Sequence, residues 1–157
     1  MKRAAIALGS NLGNRAAAIT SASSRLSLLL SGFSISEIIE TWPVGEGTDN
    51  QNLYLNAVAV GETELSARQL LEALLAIEQA FGRERPYPNA PRTLDLDLVL
   101  LGGDIVLEEG LEVPHPRFRE RFFVLGPLAE IAPDMVDPVT GLRVWELLKA
   151  LLRNEGR

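Results

Sequence analysis

Two aspartates, Asp95 and Asp97, lie two positions apart in a segment, RTLDLDLVLL, that alternates leucine with other residues. A period of two is typical of a half-buried β-strand and places both carboxylates on one face, roughly 6.6 Å apart along the strand. The same alternation predicts a buried opposite face that contains Leu94, Leu96, Leu98 and Leu100. Two carboxylates this close repel each other, and a hard cation such as Mg²⁺ removes that repulsion while it binds substrate phosphates. The alternative is a solvated strand edge whose charges prevent aggregation.

Arginines accompany this strand in two groups. Three of them bracket the loop that leads into it: Arg83, Arg85 and Arg92. Three more crowd a later segment: Arg117, Arg119 and Arg121. Guanidinium groups match phosphate in a bidentate fashion, so cationic clusters in a chain of net charge −6 predict local binding of anions. For the second group, a solvated charged surface remains the alternative.

Other residues are weaker candidates for a binding site. Tyr54 and Asn56 share one strand face and offer an aromatic plane beside an amide, which suits a flat heterocycle. The alternative is that Tyr54 lies at the margin of the sheet and that the Asn56 amide satisfies backbone groups of a loop. His115, between two prolines, is either a phosphate contact or a structural residue. The GSNLGN segment lacks the lysine of a P-loop and predicts a turn with positive φ at Gly9 or Gly13.

Composition excludes several classes of site and partner. The chain of 157 residues has no cysteine and one histidine, which excludes thiolate or multi-histidine zinc sites and leaves carboxylates as the plentiful ligands. The acidic balance argues against nucleic-acid binding. No apolar run is long enough to span a bilayer, so we expect no membrane partner. We further expect one domain over residues 1–157 that acts as a cytoplasmic monomer without nucleic-acid partners.

The elements that must position these residues follow from hydrophobic periodicity. Strands are predicted at 4–8, 33–41 and 53–60, in addition to the aspartate strand. A helical pattern from residue 14 is expected to end at Gly32, and Ser66 with Gln69 forms a capping box that starts a second helix, which Gly82 ends. A last helix is expected from Val144. The order predicts an α+β fold with a ferredoxin-like βαββαβ core, an antiparallel sheet with two helices on one face, and a C-terminal extension.

Taken together, a carboxylate pair suited to Mg²⁺, nearby arginines and possible stacking residues indicate phosphoryl-type transfer. In such reactions, positioning and charge neutralisation supply most of the rate enhancement.

Six segments carry a resemblance to a known family, and they occur in its order. They are ALGSNLGNR from Ala7, TWPVG from Thr41, YLNAV from Tyr54, IEQAFGRER from Ile77, APRTLDLDLVL from Ala90 and VPHPRFRERFFVLGPLAEIAP from Val113. Together they resemble the 6-hydroxymethyl-7,8-dihydropterin pyrophosphokinases of folate biosynthesis over nearly the whole chain. The resemblance implies a ferredoxin-like fold and transfer of pyrophosphate from ATP to the pterin hydroxymethyl group, with release of AMP.

The resemblance also implies a role for each matching residue. The catalytic residues would be Arg83, Arg92, Asp95 and Asp97, and the two aspartates would hold two Mg²⁺ ions. Contacts with ATP are expected from Glu78, Arg85, Arg92, Leu98, His115 and Arg121. Contacts with the pterin are expected from Thr41, Val44, Tyr54, Asn56 and Phe123. Two other functions stay open, a nucleotidyltransferase that releases pyrophosphate and a non-catalytic binding module of the same fold.

Overall fold

The computed structural model describes residues 1–10, 15–41, 54–83 and 94–155. Three of the predicted site residues lie outside these ranges: Val44, Arg85 and Arg92. Arg83 is the last residue of a helix, but its side chain is likewise outside the described set.

The described elements follow the predicted order, except that the strand predicted at 33–41 is divided into two, and they continue into a C-terminal extension. They are β1 (Lys2–Ser10), α1 (Arg15–Leu29), β2 (Ser31–Ile35), β3 (Ile39–Thr41), β4 (Tyr54–Thr63), α2 (Ala67–Arg83), β5 (Asp95–Leu101), β6 (Val106–Glu108), β7 (Leu111–Val113), a 3-10 helix (Phe118–Glu120), α3 (Phe122–Ile131) and α4 (Val144–Glu155). The main sheet has the order β2-β4-β1-β5 and its pairings are antiparallel, with β3 also paired to β4. The predicted ferredoxin-like α+β core is confirmed.

Each face of the sheet carries its own hydrophobic core. On one face, α1 and α2 bury residues at helical spacing, such as Ile19, Leu26 and Leu70, against Leu8 of β1. On the other face, the 3-10 helix, α3 and α4 form a second core. The prediction placed two helices on one face, and the C-terminal extension covers part of the other.

A β-bulge changes the predicted face of two leucines in β5. Ile6 pairs with Leu98 but Ala5 pairs with Leu100, so β5 has one extra residue, Val99, between these pairs. Leu100 therefore joins the second core and Leu101 the first, which is the reverse of strict alternation. The bulge follows both aspartates, so their predicted common face is retained.

Local signals at the helix ends are partly confirmed. The Ser66 N–H donates to Gln69 Oε1 at 3.0 Å and the Gln69 N–H donates to Ser66 Oγ at 3.2 Å, which is the predicted capping box. Gly32 does not end the first helix; α1 stops at Leu29 and Gly32 lies inside β2 with φ of 60°. Gly82 lies within α2, which runs to Arg83. No helix in the described ranges combines the length and apolar character needed to cross a bilayer.

Candidate active site

The open part of the second sheet face forms the floor of the site. Along β1, Gly9 pairs with Asn56 of β4 on one side and with Asp95 of β5 on the other. Ala7, two residues earlier on β1, pairs with Asp97 of β5. Adjacent strands lie about 4.8 Å apart, so the backbones of Asn56 and Asp95 are roughly 10 Å apart with no side chain at Gly9 between them. This bare central strand leaves room for a flat group between an amide and two carboxylates.

A first cavity of about 420 Å³ stands on this floor. The 3-10 helix and α3 close it from the side of the second core. Among the residues that the structure describes, it is lined by Ala7, Leu8, Gly9, Thr41, Tyr54, Asn56, Asp95, Asp97, Arg117, Glu120, Arg121, Phe123 and Val124. The cavity therefore brings the four described residues predicted for the pterin together with both aspartates and Arg121.

Asn56 is held in one orientation at the edge of this floor. The residue is buried, and its Nδ2 donates a hydrogen bond of 2.6 Å to Thr41 Oγ1. Its Oδ1 lies 3.5 Å from the point where a Cβ on Gly9 would stand, so the carbonyl oxygen faces the cavity. An acceptor fixed in this way suits an N–H group on the edge of a heterocycle.

Aromatic side chains border the same space from two directions. Tyr54 comes from β4, and Phe123 comes from the first turn of α3. The guanidinium carbon of Arg121 lies over the Phe123 ring, 5.6 Å from its centroid. The cavity thus combines ring surfaces for stacking with positive charge beside them.

The two aspartates are exposed on one face of β5 and both line the first cavity. Mg²⁺ in proteins takes one or two carboxylates and completes its octahedron with water and substrate phosphates. Within the described ranges, no group of three acidic or histidine side chains is close enough to form a complete metal cage. The two described carboxylates therefore fit a divalent ion that completes its coordination with water and a polyphosphate.

A second cavity of about 360 Å³ adjoins the first. In the described part of the chain it is lined by Leu71, Leu96, Asp97, Leu98, Glu108, Gly110, Leu111, Glu112, His115 and Pro116. Two predicted ATP contacts, Leu98 and His115, meet here. Asp97 lines both cavities, so it stands at the boundary between them.

His115 is anchored by its own backbone and ring. Its N–H donates to the Val99 carbonyl at 2.9 Å, and its Nδ1 accepts the Arg117 N–H at 3.2 Å. Burial lowers the pKa of His115 below its ordinary value; the Asp97 charge opposes this shift and the Arg121 charge reinforces it. The imidazole is therefore neutral near pH 7 and carries its proton on Nε2.

Glu78 is buried, whereas glutamate side chains are usually solvated. The residue is only 8% exposed, and its Oε2 accepts the Leu96 N–H at 2.6 Å. Leu96 lies between the two aspartates, so Glu78 holds the backbone that carries them. Glu78 is not among the lining residues of either cavity, and its predicted contact with ATP stays a prediction.

The second arginine cluster divides between two environments. Arg117 and Arg121 line the first cavity together with both aspartates. Arg119 instead pairs with the buried Asp137 through its Nε, at 2.6 Å from Oδ2. Two of the three arginines are thus placed to meet an anion, and the third is part of the scaffold.

Some lining residues escaped the sequence reasoning. Gly9 is paired within β1 on both sides and its φ is not positive, so of the two positions predicted for a turn with positive φ, Gly9 is excluded and Gly13 lies outside the described residues. A glycine inside a strand often marks the close approach of another group, and that signal was present in the sequence. For Glu120 no comparable signal exists, because its direction depends on how the 3-10 helix is held.

Comparison with known proteins begins with a family model. The model described as 7,8-dihydro-6-hydroxymethylpterin-pyrophosphokinase (HPPK) matches residues 5–133. The chain is 40% identical over 151 residues to the 2-amino-4-hydroxy-6-hydroxymethyldihydropteridine pyrophosphokinase of Methylorubrum extorquens, covering 96% of this chain and 94% of that protein. It is also 40% identical over 150 residues to the Bacillus subtilis protein of the same name, with 90% and 89% covered.

Longer proteins match over part of their length. The folic acid synthesis protein fol1 of Pneumocystis carinii is 41% identical over 151 residues, which cover 96% of this chain but 20% of the fungal protein. The crystal structure of wild-type Plasmodium falciparum HPPK-DHPS superposes with a TM-score of 0.75 at 13% identity, covering 98% of this chain and 45% of that one. At this identity the structural match supports the fold alone.

Proposed function

Because the chain belongs to the 7,8-dihydro-6-hydroxymethylpterin-pyrophosphokinase family, we propose that it transfers pyrophosphate from ATP to 6-hydroxymethyl-7,8-dihydropterin. AMP is the second product, and the pyrophosphorylated pterin is used in folate biosynthesis. The observation that carries this proposal is the position of Asp97 at the boundary of two cavities. One cavity suits a flat heterocycle and the other has apolar walls beside a neutral imidazole, so a polyphosphate between them would run past the carboxylates.

The first cavity is the proposed pterin side. The ring would lie on Ala7 and Gly9, with its edge against Asn56 Oδ1, whose direction is set by the 2.6 Å bond to Thr41. Tyr54 and Phe123 offer surfaces for stacking, each of which adds packing energy beyond simple burial. The further contact proposed for Val44 rests on the family resemblance alone.

The second cavity is the proposed nucleotide side. Leu98, Leu71 and Leu111 supply apolar walls for a base, and the neutral His115 offers its Nε2–H as a donor to the sugar or a phosphate. Glu78 keeps the backbone of β5 in place beside this cavity. The contact of Arg85 with ATP is proposed on the family resemblance.

Asp95 and Asp97 would hold two Mg²⁺ ions between the cavities. Such ions neutralise phosphate charge and orient the reacting groups. The guanidinium groups of Arg117 and Arg121 face the same space and would bind phosphate oxygens. Arg83 and Arg92 are proposed as the further catalytic cations on the family resemblance.

The proposed step is in-line attack by the pterin hydroxyl oxygen on the β-phosphorus of ATP. The bond from that phosphorus to the α-phosphate oxygen breaks, AMP leaves, and the hydroxyl proton passes to solvent or a phosphate oxygen. The transition state of phosphoryl transfer is loose, so positioning and charge neutralisation matter more than a strong base. This requirement matches a site rich in fixed charges.

We also propose that the whole chain forms one domain and acts as a cytoplasmic monomer. The family match ends at residue 133, but α4 buries Val144 and Leu147 in the second core with Phe118 and Val124. The extension that follows the match therefore packs against the elements that close the first cavity.

Identification of the nucleotide product tests the proposed function. The protein is incubated with Mg²⁺, ATP and 6-hydroxymethyl-7,8-dihydropterin, and the products are separated by anion-exchange chromatography. AMP formed in equal amount to phosphorylated pterin supports the proposal. Pyrophosphate would indicate a nucleotidyltransferase, and ATP that stays intact in spite of measurable ligand binding would indicate a binding module.

A further inference from the structure

Asp137 is a fully buried carboxylate in the turn between α3 and α4, with 0% of its surface exposed. It accepts four hydrogen bonds: from Val139 N–H at 3.0 Å, from Thr140 Oγ1 at 2.8 Å, and from Arg119 Nε and Nη2 at 2.6 and 3.0 Å. Burial by itself would raise the pKa of Asp137, but these hydrogen bonds outweigh burial and lower the pKa. The carboxylate is therefore charged and has a fixed direction.

The turn that carries Asp137 is closed on itself. The Asp137 N–H donates to the Leu142 carbonyl and the Gly141 N–H donates to the Asp137 carbonyl, both at 2.8 Å. Gly141 has φ of 75°, which permits the tight return, and Val136 pairs with Arg143. Asp137 is thus a fixed point in the extension and not a side chain that swings freely.

The 3-10 helix has the opposite character. It is a single turn of three residues, closed by bonds such as Arg121 N–H to the Phe118 carbonyl at 3.3 Å. One turn cannot define its own orientation, because few backbone bonds oppose its conformational freedom. Its backbone is held at both ends, by the bond from the His115 N–H to the Val99 carbonyl and by the Arg121 carbonyl at the start of α3. Side chains that point away from the cavity fix the orientation of the turn between these ends.

Two side chains of this helix point away from the cavity, those of Phe118 and Arg119. Phe118 is fully buried in the second core, and the Arg119 guanidinium lies 4.7 Å from the centre of its ring. The same guanidinium forms its two bonds to Asp137, and a bidentate pair fixes rotation as well as distance. On the other side, the segment directs Arg117, Glu120 and Arg121 into the first cavity.

We propose that Asp137 is a positioning residue: through Arg119 it sets the orientation of residues 117–121, and so the placement of Arg117 and Arg121 in the cavity that both aspartates line. The inference rests on the proposed function, since the placement matters only if phosphates bind there. It assigns a functional role to the C-terminal extension of this chain, which follows the residues of the family match.

Asp137→Asn tests this role because the amide keeps the shape of the side chain and removes its charge. We expect kcat/KM for the pterin to fall by about 10- to 100-fold, since displacement of a positioned group by an ångström has effects of this order. Arg119→Lys keeps the positive charge but loses the bidentate geometry, and a smaller loss in the same direction is expected. If Asp137→Asn does not fold at the assay temperature, Arg119→Lys is compared with the control variants in its place.

Two control variants separate positioning from general stability. Thr140→Val removes one hydrogen bond to Asp137 and leaves its pair with Arg119 intact. Asp134→Asn removes the same charge from an exposed residue of the same connection. All variants are assayed at a temperature at which circular dichroism shows them folded, and their melting temperatures are measured.

The proposal predicts that Thr140→Val loses stability but keeps wild-type kcat/KM, and that Asp134→Asn changes neither. Activity losses that track the melting temperature equally in Asp137→Asn and Thr140→Val would overturn the positioning role, and so would full activity of Asp137→Asn. Wild-type protein that neither binds nor converts the pterin would contradict the proposed function itself, and the inference with it. If the wild-type protein turns over normally, a failure of the positioning role is distinguishable from a failure of the proposed function.

Discussion

Gly9→Ala should weaken pterin binding without weakening the fold. A Cβ on Gly9 would stand 3.5 Å from Asn56 Oδ1 and 3.9 Å from Tyr54 Cδ1, which are ordinary van der Waals distances. The backbone of Gly9 has no positive φ, so alanine is tolerated there. Replacing glycine by alanine at a compatible position changes stability by about 0.4–1 kcal/mol in the favourable direction. The variant should therefore melt at or slightly above the wild-type temperature.

The expected loss is in the affinity for the pterin. The added methyl group rises from the bare floor between Asn56 and Asp95, where the ring is proposed to lie. One methylene-sized mismatch in a pocket is worth about 1–3 kcal/mol, or roughly 10- to 200-fold. We expect a loss of this size in pterin affinity, measured by isothermal titration with 6-hydroxymethylpterin, and a similar rise in KM.

Gly61→Ala is the matched control, because it makes the same change in the adjacent strand β4. Its Cβ would lie 2.6 Å from Leu30 Cβ and 3.0 Å from the Ser31 carbonyl oxygen, where neighbours must move. Overpacking of this kind costs about 1–3 kcal/mol of stability. Gly61 is remote from the lining of the first cavity, so pterin affinity of the folded protein should be unchanged.

The two variants thus predict opposite patterns in two assays, thermal denaturation and calorimetry. Wild-type pterin affinity in Gly9→Ala would refute the placement of the ring on the β1 floor. A large loss of stability in Gly9→Ala would contradict the contact distances from which its tolerance follows.

Three further predictions concern charged residues. Asp97→Ala should abolish turnover and Mg²⁺-dependent binding of a non-hydrolysable ATP analogue, with an unchanged melting temperature because the side chain is exposed; calorimetric binding equal to wild type would rule out its role in metal binding. Glu78→Ala should lower stability by about 1–3 kcal/mol, measured by urea denaturation, because it leaves the buried Leu96 N–H without its acceptor; a wild-type midpoint would show that this bond contributes nothing. The wild type should be more stable than Asp137→Asn, because the folded state holds the Asp137 carboxylate charged and so lowers its pKa. This difference in unfolding free energy should be complete above the ordinary pKa of 3.8 and decline as pH falls through the lowered pKa of the folded state. A difference that stays constant from pH 7 to pH 2.5 in urea titrations would contradict the lowered pKa.

Local patterns in the sequence predicted much of the fold. The period of two placed both aspartates on one face of a strand, and the helical stripes identified the buried faces of α1 and α2. The capping box at Ser66 also formed as expected. These features depend on residues within a few positions of one another, where steric and hydrogen-bonding rules act without the rest of the chain.

The motifs likewise identified the family, and four described residues predicted for the pterin line one cavity: Thr41, Tyr54, Asn56 and Phe123. The direction of Glu78 was beyond such reasoning. Glutamate is a residue type that is usually solvated, yet Glu78 is buried and its Oε2 accepts the Leu96 N–H of the neighbouring strand β5.

The sequence alone thus determined the order of helices and strands in the core and which chemical groups the chain brings to the site. Only the tertiary structure decided that Arg119 pairs with Asp137 while Arg117 and Arg121 line the cavity that contains both aspartates, and that Gly9 lies in a strand on the floor of this cavity. The physical reason is that these outcomes depend on contacts between residues far apart in the chain. An arginine in a cluster has the same local sequence whichever way it points, and its direction is set by the partner that packing brings within reach.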